Sequence, residues 1–187
     1  AVACLKGLNF QIDNISEKSL KLKPAPGRVE VVYDGDFKVI VDYAHSPESF
    51  ESLFSALKPF VKGKLITVTG ACGERDRNKR PKMGELLAFY SDLVVLTNDD
   101  PYGEDPEQIA QDLISGLVKS NKFQETKNFW KILDRREGIK KGIELANNNH
   151  VVVILGKGPE QWQVFKNYKI PWDDRKIAKE IIEAKNK

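Results

Sequence analysis

Val151-Val152-Val153-Ile154-Leu155 is an unbroken apolar run that stops at Gly156-Lys157-Gly158-Pro159-Glu160. A strand with one face in water alternates apolar and polar residues, whereas a strand covered on both faces does not. A run this short, rich in β-branched residues and closed by glycine, reads as a central strand rather than a helix. Leu65–Thr69, ending in Gly70, and residues 93–97 read the same way.

Helical signals separate these strands. Ser46-Pro47 supplies an N-cap followed by proline at the first helical position, ahead of an apolar stripe of Phe50, Leu53, Phe54 and Leu57. Residues 81–90 form a second helix. Asp105-Pro106-Glu107-Gln108 starts a third, carrying Ile109, Leu113, Ile114 and Leu117. After a short strand over 129–133, Asp134-x-x-Glu137 caps a fourth that runs to about Asn147, and Asp174–Lys185 forms the last. Upstream, β-rich stretches over 29–33 and 37–42 flank Asp34-Gly35-Asp36, a hairpin signal. Strands alternating with helices require crossover connections. The expected fold is α/β: a Rossmann-like, mostly parallel sheet of about six strands with helices on both faces.

Residues 1–23 keep a loose helical spacing through Ile12, Ile15, Leu20 and Leu22, which Lys23-Pro24-Ala25-Pro26-Gly27 must end. A boundary is expected there, with 1–26 the tail of a preceding domain plus linker and 27–187 one domain. The start at Ala1 has neither methionine nor a signal-peptide pattern, so the chain is expected to begin within a longer protein.

Totals narrow the class. Hydrophobic residues make up 41% and charged residues 30% of 187, an ordinary globular composition. No apolar run approaches the roughly 20 residues of a membrane helix. Net charge is +3, with acids and bases interleaved except over 75–82, too small an excess for a general nucleic-acid binder. Cys4 and Cys72 cannot build a disulfide framework, which fits a reducing cytoplasm.

In a sheet of this kind ligands bind beyond the carboxyl ends of the strands. The polar and glycine-rich residues fall there: Asp42-Tyr43-Ala44-His45, residues 70–80, Asn98-Asp99-Asp100-Pro101, and Gly156-Lys157-Gly158-Pro159-Glu160. Each has two readings. Asp42 and His45 suit a ribose hydroxyl and an adenine or phosphate, or they cap the following helix. Residues 73–80 form a solvated charged loop, or Arg75 and its neighbours grip a carboxylate or phosphate. Gly156-Lys157-Gly158 lacks phosphate-loop spacing, and no Gly-x-x-x-x-Gly-Lys-Ser/Thr occurs. No set of His, Cys and carboxylates has metal-ligand spacing. Trp130, Trp162 and Trp172 are scattered among few basic residues, as packing residues are.

Taken in order, the motifs resemble the Mur ligases, and within them the branch of tripeptide synthetases. The carriers are residues 22–30 (Leu22-Lys23-Pro24-Ala25-Pro26-Gly27-Arg28-Val29-Glu30), Asp42-Tyr43-Ala44-His45-Ser46-Pro47, residues 73–84, Thr97-Asn98-Asp99-Asp100-Pro101, Glu104-Asp105-Pro106 and Gly156-Lys157-Gly158-Pro159-Glu160. The resemblance spans about residues 22–175. It implies an ATP-dependent ligase of the bacterial cytoplasm: ATP phosphorylates the terminal carboxylate of UDP-N-acetylmuramoyl-dipeptide, and an amino acid attacks the acyl phosphate. The partners it implies are that dipeptide, a diamino acid, and the N-terminal and central domains of the same protein, with neither nucleic acid nor membrane. The central domain would carry the phosphate loop and the Mg2+ ligands, so the chain alone is expected to be inactive. By position, Arg28, Asp42 and His45 would contact ATP. Arg75, Asp99, Asp100, Gly156 and Glu160 would line the amino-acid pocket. No catalytic proton-transfer residue and no metal ligand is assigned.

The chain departs from that pattern at two places. Family members that add meso-diaminopimelate read Asp-Asn-Pro-Arg where this chain has Asp99-Asp100-Pro101-Tyr102. The missing arginine and the extra carboxylate lead to the expectation of a lysine-like third residue over meso-diaminopimelate. Pro159 replaces the histidine of Gly-Lys-Gly-His-Glu. Alternatives carried forward are another superfamily ligase, of cyanophycin or folylpolyglutamate type, and a non-catalytic nucleotide-binding module.

Overall fold

The computed structural model describes residues 25–185. The helical reading of residues 1–23 lies outside them. Strands β1 (Glu30–Asp34), β2 (Lys38–Asp42), β3 (Leu65–Thr69), β4 (Leu93–Leu96), β5 (Phe129–Lys131) and β6 (Val151–Leu155) build one six-stranded sheet in the order β1-β2-β6-β3-β4-β5. Only β1 is antiparallel, joined to β2 through the Asp34-Gly35-Asp36 turn. All other pairings are parallel. Among the described residues four α-helices connect successive parallel strands, α1 (Pro47–Leu57), α2 (Lys79–Tyr90), α3 (Pro106–Leu117) and α4 (Arg135–Glu144), and a fifth, α5 (Asp174–Lys185), follows the last strand.

The central strand shows why its sequence is apolar throughout. Side chains alternate across a strand. Val151, Val153 and Leu155 enter one core with α1, α2 and α3, while Val152 and Ile154 enter the other with α4 and α5. Burying side chains of this size stabilises by about 1.5–3 kcal/mol each, so solvent is excluded from both faces. The helix starts follow their caps. Ser46 accepts from Ser49 N–H in a capping box, Asp105 accepts from Glu107 N–H, and Asp134 accepts from Glu137 N–H. Between α2 and α3 the backbones touch: a Cβ on Gly116 would lie 1.8 Å from the Pro81 carbonyl oxygen, and one on Gly84 2.1 Å from that of Leu113.

Several boundaries differ from the sequence reading. Helix α2 begins at Lys79, so Arg80 sits in its first turn and is buried rather than part of an exposed loop. Strand β5 ends at Lys131, and α4 ends at Glu144. A two-stranded hairpin, β7 (Trp162–Val164) and β8 (Lys169–Pro171), follows β6 and has no counterpart among the expected strands. Its strands are three residues each, too short for alternation to register. Trp130 and Trp172 pack against the second core as expected, but Trp162 is half-exposed beneath Lys169. Among the described residues no helix is long and apolar enough to cross a membrane.

Candidate functional site

The strand order places a crevice on each side of β6. From their carboxyl ends β2 and β3 lead to α1 and α2 on one face, while β6 leads through the hairpin to α5 on the other. Neighbouring strands whose connections diverge leave an opening between their ends, and ligands occupy it. A cleft of about 150 Å³ lies there. Four strand ends line it: Tyr43 and His45 after β2, Cys72, Arg75 and Lys79 after β3, Asp100 and Tyr102 after β4, and Gly156 and Glu160 after β6. The enclosed volume suits part or all of an amino acid and falls below the roughly 300–1,000 Å³ of pockets for larger ligands. The two largest of the hollows found among the described residues, about 470 and 450 Å³, lie along α4–α5 and beside the hairpin, away from the strand ends.

Behind the cleft wall stands Lys157, whose side chain is fully buried. Its ammonium lies 2.7 Å from Asp100 Oδ1, 2.9 Å from Glu160 Oε2 and 3.5 Å from Asp99 Oδ1. Burial works against its charge, but the three carboxylates outweigh it and raise its pKa. Asp100 Oδ1 also accepts the Val164 N–H at 2.8 Å, and Tyr43 donates its hydroxyl to Glu160 Oε1 at 3.2 Å. Burial, then the nearby Glu160 charge, raises the Tyr43 phenol and keeps it a donor. Gln163 donates to the Asp99 carbonyl at 2.9 Å. Strand β7 therefore holds the Asp99-Asp100 turn in place.

Asp99 is 2% exposed and its Oδ2 finds no hydrogen-bond partner among the described residues. Burial is the main cause that raises its pKa. With Cys72 and Asp100 it forms a set of donor atoms within 4.8 Å of one another. That set does not fit a magnesium ion. Burial pushes the Cys72 thiol up to about 12, a protonated thiol is a poor partner for a hard cation, and the Lys157 ammonium already occupies the carboxylates.

Two buried arginines fix the surrounding loops. Arg135 bonds Asp174 through both arms, Nε to Oδ1 at 2.8 Å and Nη2 to Oδ2 at 2.6 Å. It also donates to the carbonyls of Asn98 at 2.9 Å, just past β4, and Leu155 at 3.0 Å, the last residue of β6. Arg80 donates to Glu104, Asp112 and the Cys72 carbonyl. Glu104 in turn accepts the Glu74 N–H, and Glu74 Oε1 accepts the Gly103 N–H, so the loops after β3 and β4 are latched together.

Of the residues singled out from sequence, His45, Arg75, Asp100, Gly156 and Glu160 converge on the cleft. Arg75 is exposed, with its guanidinium 5.5 Å from the Tyr102 ring centre. Arg28 is exposed beside them, 4.5 Å above the Tyr43 ring. Asp99 lies behind the lining. Both oxygens of Asp42 take backbone donors, Val29 N–H at 2.8 Å and Ala44 N–H at 2.7 Å, and so tie the entry of β1 to the end of β2. His45 has its Nδ1 2.8 Å from the Tyr43 carbonyl oxygen. Asp100 is not the free negative charge that its place in the sequence suggests, because Lys157 pairs with it. Sequence reasoning missed Lys157, Tyr43, Arg80 and Arg135. Arg135 left a trace: a cation at the first position of a helix opposes the helix dipole, so it needs a partner elsewhere.

Comparison with known proteins agrees with this geometry. The family described as "Mur ligase, glutamate ligase domain" matches residues 27–158. A UDP-N-acetylmuramoyl-L-alanyl-D-glutamate–2,6-diaminopimelate ligase of Aquifex aeolicus is 42% identical over 97% of this chain and 36% of its own length. A UDP-N-acetylmuramyl-tripeptide synthetase of Treponema denticola is 38% identical over 97% of this chain and 34% of its own. A solved UDP-N-acetylmuramoyl-L-alanyl-D-glutamate–2,6-diaminopimelate ligase superposes with a TM-score of 0.78 at 34% identity, covering 100% of this chain and 37% of that one. The chain thus spans about a third of the length of the relatives it matches.

Proposed function

The chain belongs to the Mur ligase family, and on that premise we propose that it is the amino-acid-binding C-terminal part of a ligase that adds the third residue to UDP-N-acetylmuramoyl-dipeptide. The convergence of four strand ends on one amino-acid-sized cleft, lined by anchored carboxylates and by Arg75, carries this reading. Asp100 and Glu160 would receive the ammonium of the incoming amino acid, and Arg75 its α-carboxylate. Holding both ends fixes the nucleophilic amine, and the contribution of such positioning is entropic. ATP would supply the phosphoryl group that activates the dipeptide carboxylate. Arg28 and His45, exposed beside the cleft, would meet the nucleotide, and Asp42 would contact its ribose with the lone pairs its backbone donors leave free. The phosphate loop and magnesium ligands would come from the rest of the protein, acting in the bacterial cytoplasm.

The incoming residue is a diamino acid with a cationic end, lysine-like rather than meso-diaminopimelate. Tyr102 stands where a second carboxylate would need a guanidinium, and a charged hydrogen bond of that kind contributes about 1.5–3 kcal/mol. Relatives named for diaminopimelate supply the competing substrate. The test is an amino-acid screen with the full-length protein, ATP and UDP-N-acetylmuramoyl-dipeptide, scored by ADP release and product mass. Lysine is expected to exceed diaminopimelate by roughly tenfold or more in kcat/KM. The reverse preference defeats the lysine assignment alone, and no amino-acid-dependent turnover defeats the ligase reading.

A further inference from the structure

Lys157 cannot touch a ligand in the cleft. Its side chain has no exposed surface, yet two of its three carboxylate partners, Asp100 and Glu160, line that cleft. Each is held from two directions. Asp100 Oδ1 takes Lys157 and the Val164 N–H, and Glu160 takes Lys157 on one oxygen and the Tyr43 hydroxyl on the other. Carboxylate oxygens carry two lone pairs each, so both groups keep acceptor capacity. Without the ammonium, Asp99, Asp100 and Glu160 would crowd three negative charges around one turn.

We propose that Lys157 is a positioning residue of the amino-acid site, fixing Asp100 and Glu160 as a pre-aimed acceptor pair and setting the charge the cleft presents to the incoming side chain. The inference rests on the amino-acid reading of the cleft. A pair of carboxylates already fixed in place, Asp100 buried and Glu160 at the partly exposed rim, receives an ammonium with little reorganisation, the condition that favours a charged contact. The wall neutralises part of that charge in advance and leaves the rest to the incoming ammonium. Selection between a cationic and a zwitterionic side chain therefore depends on a residue that neither touches.

The experiment is steady-state kinetics of the full-length protein carrying Lys157→Met, with Lys157→Arg as the charge-retaining control. The expected result is an amino-acid KM raised on the order of 10- to 100-fold, with KM for ATP within about twofold and kcat at saturating amino acid nearly unchanged. Lys157→Arg should recover part of the loss, and the lysine-to-diaminopimelate ratio should rise in Lys157→Met as negative charge goes unpaired. A folded Lys157→Met enzyme with unaltered amino-acid KM overturns the proposal. So does a parallel loss in both KM values and kcat, which marks a purely structural lysine. Should Lys157→Met not fold, Glu160→Gln at the more exposed rim decides: it breaks one arm of the clamp, and an unchanged amino-acid KM is equally fatal. A wild-type enzyme that ligates no amino acid refutes the reading of the cleft and this inference together, whereas turnover with insensitive variants refutes only the inference.

Discussion

The Cβ that Gly156 lacks would lie 2.2 Å from the Oδ2 atom of Asp99. Gly156 also has φ +110°, a backbone conformation closed to side-chain-bearing residues. The strand must turn here so that Lys157 can point back into the wall. Gly156→Ala meets both obstacles and is expected to destabilise the chain by about 2–3 kcal/mol. Urea unfolding checks the value. Adding Asp99→Ala should recover only the steric part. Full recovery would show that the backbone at residue 156 is unstrained.

Much of this arrangement is legible in the sequence. The apolar runs at Leu65–Thr69 and Val151–Leu155 disclosed buried parallel strands, because a strand covered on both faces has no polar option. The cap residues Ser46, Asp105 and Asp134 placed helix starts through local hydrogen bonds. The strand-end motifs named five residues of the cleft lining. What escaped depends on contacts distant in sequence. Lys157 meets Asp100 across 57 positions, Arg135 meets Asp174 across 39, and neither pairing follows from composition or period. The charge of Asp100 was legible, but its neutralisation was not.

Arg135 and Asp174 are both fully buried and bonded through two arms. Removing one partner strands the other's charge away from water, which costs about 3–5 kcal/mol. Arg135→Met and Asp174→Leu should each lower unfolding stability by that order. The double variant Arg135→Met/Asp174→Leu should lose much less than their sum. Additive losses in a double-mutant cycle would mean that the carbonyls of Asn98 and Leu155, not Asp174, are the important partners. Arg135→Lys should rescue poorly, since one ammonium cannot reproduce the fork.

Cys72 borders the cleft, but burial, and then the charges of Asp99 and Asp100, push its pKa up to about 12. The thiolate is the reactive form, and an unperturbed cysteine has a pKa of about 8.5. At pH 8 its alkylation by iodoacetamide in the native protein should be on the order of a thousandfold slower than in urea. Peptide mapping by mass spectrometry distinguishes it from Cys4. Rapid native labelling of Cys72 would contradict the buried, anion-flanked setting.

Glu104 joins Arg80 to the loop after β3, and the hydrogen bonds from Arg80 hold its carboxyl below the usual glutamate range. A group whose folded pKa is depressed contributes stability that is fully present above its unfolded value, about 4.3. That contribution is lost as pH falls through the lower folded value, because protonation breaks the latch that Glu104 makes with Arg80 and the Glu74 N–H. Stability measured by urea should therefore hold from pH 7 to about 5 and fall below 4. Arg80→Met should abolish Glu104's share of that acid dependence while lowering stability at pH 7 by about 1–3 kcal/mol, since Glu104 and the partly exposed Asp112 lose a shared cation but can turn to water. Hydrogen exchange should show residues 73–77 opening first on acidification, because the Glu104 carboxylate helps tie that loop to the loop after β4. Protection of those amides that is the same at pH 7 and pH 3.5, after correction for intrinsic exchange, would rule out Glu104 as the latch.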